Sequence, residues 1–152
     1  MDRSGAGRSH RACLVLTFSL AACATTSSES LEHDVQEAVL RWAFENAETD
    51  LDPPAVHCVT MFRGMMDEVN DPEPQLLARF SDDPVPVKPQ SACQYVQDAH
   101  HMVIDKATGE FGLLFIVHPI EQLDDDHARA WIEYLQGGTW GVEWRCNVRR
   151  KA

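Results

Sequence analysis

The chain has 152 residues, 24 acidic against 13 basic side chains, and a formal charge of −11. Such an acidic surface repels nucleic acid and anionic lipid head groups, so neither is an expected partner. With 44% hydrophobic residues the chain can build a core, which excludes wholesale disorder, and its length suits one domain.

Residues 1–11 carry Arg3, Arg8 and Arg11 against the single acid Asp2, and residues 12–22 carry no charge. That uncharged run has the length of a secretory signal core. It is too short to cross a bilayer, which takes about 20 apolar residues. It ends in Leu20-Ala21-Ala22-Cys23, which resembles the lipobox of bacterial lipoproteins: Leu, a small residue, Ala or Gly, then Cys. The resemblance covers the leader alone. It implies that 1–22 is a signal peptide, that the Cys23 thiol receives a diacylglyceryl group, and that cleavage leaves Cys23 as an acylated, palmitate-type N-terminus. It further implies attachment to the cell envelope. Ala24, where Asp would retain the protein at the inner membrane, favours the outer membrane facing the periplasm. Two or more acyl chains anchor firmly where one holds marginally. Ordinary cleavage after Ala22-Cys23-Ala24 would instead release a soluble periplasmic protein. Processing before Cys23 leaves 130 residues with ten basic and 23 acidic side chains, a formal −13.

Residues 23–30 are small and polar, a flexible tether to a single domain over 31–152. Ser30 is placed to cap a helix along which Leu31, Val35, Ala38, Val39, Trp42 and Ala43 recur at helical spacing. Glu37, Arg41 and Glu45 lie four apart on its other face and can pair. Residues 55–62 are β-rich and mostly apolar, and read as a strand. Asp71-Pro72 starts a second, short helix with Leu76, Leu77 and Phe80 inward. Residues 85–89 (VPVKP) lack regular donors and predict an extended edge or connector.

Beyond this the pattern predicts an antiparallel meander. Residues 101–104 form a short strand, 105–109 a turn closed by Gly109, and 111–117 (FGLLFIV) a central strand. Residues 140–148 alternate strictly, with Trp140, Val142, Trp144, Cys146 and Val148 on one side. Residues 127–135 fit either a helix capped by Asp124-Asp125-Asp126 or a strand, and the hairpin they would make with 140–148 favours the strand. The whole predicts an α+β fold: an N-terminal helix packed on a curved antiparallel sheet of about four strands, with a second short helix. The order resembles small cystatin-like or NTF2-like domains, a likeness of architecture that carries no motif.

The mature body holds Cys58, Cys93 and Cys146, enough for one disulfide in an oxidising envelope. Three pairings are possible; Cys58–Cys93, closing a loop with two Pro-rich segments, is favoured. No C-x-x-C pair, H-E-x-x-H, calcium-loop or G-x-S-x-G pattern is present, so the sequence predicts neither a cofactor nor an enzyme. His101, His118 and His127 are weak candidates for a copper or zinc site, since they flank neighbouring strands. Trp131, Trp140, Trp144 and Tyr134 cluster near the last hairpin. They line a groove or, as favoured, pack across strands onto Trp42. The functional expectation is a lipid-anchored envelope module that binds a protein or glycan partner without catalysis. The alternatives are a periplasmic metal-binding module and a small hydrolase on an NTF2-like scaffold, which needs a pocket holding a carboxylate and a histidine together.

Overall fold

A computed structural model describes residues 11–19, 28–62, 70–96, 103–137 and 140–151. The lipobox, Cys23, most of the tether, His101, Met65 and Met66 lie outside the described residues. Along the chain run β1 (Arg11–Ser19), α1 (Ser28–Asn46), β2 (His57–Met61), α2 (Pro74–Ala78) and β3 (Val87–Pro89). A 3-10 turn (Gln90–Ala92) leads into β4 (Cys93–Tyr95), β5 (Val103–Asp105), β6 (Leu113–Val117), β7 (Glu121–Gln122), β8 (His127–Gly137) and β9 (Trp140–Lys151). The fold is α+β, with one long helix and one short one.

The main sheet is larger than the expected four strands and is mixed. Its order is β1-β9-β8-β6-β2-β3, with β7 also paired to β8, while β4 and β5 form a separate hairpin. β2 pairs in parallel with both β3 and β6. Parallel neighbours need crossover connections, and the long segments 62–86 and 90–112 supply them. The donor-poor prolines place β3 at the sheet margin, where a missing N–H costs least. β6, β8 and β9 are the antiparallel part. Arg11–Ser19, most of it within the apolar run expected only as a processing signal, lies parallel along β9 as β1.

Two differences concern helix starts. α1 opens at Ser28, so Ser30 sits in its first turn instead of capping it. α2 opens two residues later than expected, with Glu73 at the cap and Pro74 at the first helical position, where its absent N–H is no loss.

Both faces of the sheet are covered, which explains the unbroken apolar run of β6. On one face Val59, Phe115, Ile132, Trp144, Cys146 and Val148 pack under α1 through Val35, Val39, Leu40 and Ala43. On the other, Cys58, Leu114 and Ile116 meet Cys93 and Val103 of the small hairpin. The Cys58–Cys93 disulfide joins that hairpin to β2 across 35 residues. Gly112 lets the chain enter β6 against β2, because a Cβ there would overlap the Val56 carbonyl and side chain. Gly109 closes the preceding turn at φ +74.

Candidate functional site

Two clefts of similar size lie beside α1, one along its first turns and one at its end. The first has a volume of about 330 Å³ and is bordered by Glu32, His33, Asp71, Glu73 and His118. The His33 Nε2 lies 3.3 Å from Glu73 Oε2, and the His118 Nε2 lies 2.6 Å from Glu133 Oε1. Phe62 covers the His118 ring at 4.6 Å between centroids. Gln36 donates to Glu32, and Asp71 accepts from the Ser91 N–H. Each imidazole and acid named here therefore has a partner inside the protein.

The second cleft, about 320 Å³, is built from the last turns of α1, the start of β2 and the loop after α2, and its lining includes Arg41, Phe44, His57, Asp83 and Val85. His57 is the first residue of β2, and strand alternation sends it to the α1 face while Cys58 turns to the opposite face. There it stacks on Phe44 at 4.3 Å and meets the edge of Phe115 at 5.3 Å. The ring is 4% exposed. Its Nδ1 is buried and has no hydrogen-bond partner. Burial pushes its pKa down to about 4, against a weak opposing pull from Asp83, so the ring is neutral at physiological pH. A neutral imidazole offers one donor and one acceptor. Leaving such a buried nitrogen unpaired costs about 1–3 kcal/mol, and the ring that carries it is part of the cleft lining.

The cleft rim is held by ions. Arg41 bonds Glu37 at 3.0 Å, Asp82 at 3.0 Å and the Arg79 carbonyl at 2.7 Å. Asp83 accepts from the Val85 N–H, fixing the turn into the proline segment. Arg79 in turn reaches Asp34 at 2.6 Å and Glu37 at 3.1 Å, clamping α2 to α1. The expected Glu37–Arg41 pair is therefore present, as one link in a wider network.

The other sequence candidates are dispersed. The His118 backbone N–H donates to the Trp131 carbonyl, and His127 lies four residues before Trp131 on β8, roughly 13 Å away at strand rise. His127 pairs with Asp124 at 2.7 Å instead. Among the described residues, no three His, Cys, Asp or Glu side chains gather as a metal's ligands. The aromatics divide. Trp144 meets Trp42 edge-on at 5.2 Å and stacks on Tyr134 at 4.9 Å, in the core. Tyr134 also donates its hydroxyl to the Glu48 carbonyl. Trp131 lies on the other face, under Arg145 at 6.0 Å. Cys146 is buried beneath α1. Among the described residues, no helix is long and apolar enough to cross a membrane.

His57 is not among the candidates read from the sequence. The missed signal was a polar ring on the inward register of an otherwise apolar strand. Compared with protein-family models, curated proteins and solved structures, the chain matches none.

Proposed function

We propose that the protein is a lipid-anchored envelope module, held by Cys23, that binds a partner group in the cleft beneath Phe44 and His57. The unpaired Nδ1 of His57 is the observation that carries this proposal, since buried polar atoms ordinarily have partners. The cleft combines an aromatic and apolar floor with Asp82, Asp83 and Glu45 against the single, already paired Arg41. That balance favours a partly apolar group that is neutral or cationic, able to hydrogen-bond a neutral imidazole, and disfavours anions. An apolar side chain beside a basic or amide group on another envelope protein has this chemistry. The lipid fixes the protein at the membrane surface, and the tether lets the cleft reach its partner.

Site-directed photocrosslinking in intact envelopes tests the assignment. A crosslinker at Glu45, on the cleft rim, should capture a defined partner, and His57→Phe should remove that product. A crosslinker at Lys106, on the distant turn after β5, should not yield it. Identical products from both positions would rule out the cleft.

A second reading rests on the first cleft, which does hold carboxylates and imidazoles together. There a histidine paired with a glutamate would act as a general base on water, as a small hydrolase requires. His118→Ala would then abolish ester hydrolysis without altering the Glu45 crosslink. A metal-binding module would bring His101 to His118 or His127; copper or zinc retained at stoichiometry and lost in His101→Ala and His118→Ala would support it.

A further inference from the structure

The outer edge of β9 is occupied by β1, the segment that signal cleavage would remove. We infer that in the processed chain this edge pairs antiparallel with β9 of a second copy, forming a two-fold dimer through one continuous sheet. The inference rests on the proposed removal of residues 1–22.

Backbone direction defines the edge. The Arg150 N–H donates to the Asp126 carbonyl on the β8 side. Even-numbered residues of β9 therefore bond β8, while Arg145, Asn147 and Arg149 turn their backbone groups outward to β1, and Gly141 and Glu143 turn theirs to the same side beyond its register. Without β1 they form a long open edge, which proteins cover or pair. Trp144, Cys146 and Val148, only 3%, 0% and 4% exposed with β1 present, lie in the strand that would become the margin. A second copy restores a neighbour on that side.

Charge and the length of overlap together select the occupant and the register. Centring the two-fold on residue 146 overlaps 141–151 of both copies. Glu143 then stands opposite Arg149 twice, and Arg145 opposite Asn147 twice. Moving the centre to 145 sets Arg145 against itself. Moving it to 147 sets Arg145 against Arg149; moving it to 144 sets Glu143 against Arg145 but shortens the overlap to 140–148. Opposite charges across antiparallel strands stabilise, and like charges destabilise. Within the protomer, Glu143 stands directly opposite Glu133 of β8 and 3.6 Å from the exposed Arg145, so replacing it with a cation relieves one repulsion, gives up one weak surface pair and leaves the fold intact.

Native mass spectrometry of detergent-extracted, processed protein tests this. The wild type should run at twice the protomer mass. Glu143→Lys and Arg149→Glu should each weaken the dimer about tenfold, and the double exchange Glu143→Lys/Arg149→Glu should restore it. A monomer lacking residues 1–22 would overturn the dimer alone. A monomer that retains them would overturn both the dimer and the processing on which it rests. A dimer indifferent to the single exchanges, or a complex with a different protein, would also overturn it.

Discussion

His57 and Asp105, both buried, contribute to how the protein responds to acid. His57 has a folded pKa near 4 against 6.5 when free of burial. Between those values the unfolded chain binds a proton that the folded chain refuses. The stability tied to neutral His57 is therefore complete above about pH 6.5 and declines as pH falls toward 4, by about 3 kcal/mol in all. Denaturant titrations across that window should show the slope, and His57→Phe should flatten it. Asp105, 3% exposed, works in the opposite chemical sense. The Lys88 ammonium at 2.7 Å, helped by the Ala107 N–H and the Thr108 hydroxyl, holds its carboxyl below the usual range despite burial. Its contribution is present above the ordinary carboxylate pKa of about 4 and is lost as pH falls through the lowered folded value. Asp105→Asn should remove that acid limb and cost about 2 kcal/mol at neutral pH, because the partly buried Lys88 loses its counter-charge.

At the scale of elements, the small hairpin depends on one covalent link. β4 and β5 have three residues each and cover the sheet face opposite α1 with little beyond Cys93 and Val103. The Cys58–Cys93 bond closes a 35-residue separation, worth about 4 kcal/mol in the chain-entropy model. Cys58→Ala/Cys93→Ala should lose about that much by chemical denaturation and speed proteolysis within 90–110. A variant as stable as the wild type would show that the hairpin holds by packing alone. Periodicity made the helix, the tryptophan hairpin and the disulfide legible, because each reports a local repeat or a countable residue. The parallel pairing of β2 with β3 and β6 was not legible. It depends on where crossovers lie, and 55–62 and 111–117 look the same in either orientation. Nor was β1, since an apolar run that suits a signal peptide suits a sheet margin equally. His57 was hidden for a related reason: its significance comes from Phe44 and Phe115, which the sequence places 13 and 58 residues away.

At the scale of the whole molecule, the proposed anchor and the domain divide the work. The proposed anchor is a four-residue pattern, readable without a fold. The cleft exists only once the end of α1, the start of β2 and the loop before β3 converge. Arg79 and Arg41 hold that convergence by binding Asp34, Glu37 and Asp82. Arg79→Met should loosen α2 and the rim together, costing about 1–2 kcal/mol and weakening the Glu45 crosslink while leaving lipidation unchanged. A crosslink of undiminished yield would separate the rim from the α1–α2 clamp.

The most direct measurement is the intact mass of the protein extracted from membranes of cells expressing the full chain. The account predicts a polypeptide beginning at Cys23, heavier than residues 23–152 by a diacylglyceryl group and an N-linked acyl chain, and no lipid on Cys23→Ala. A chain that keeps residues 1–22, or one that starts after Ala24 without lipid, would contradict it.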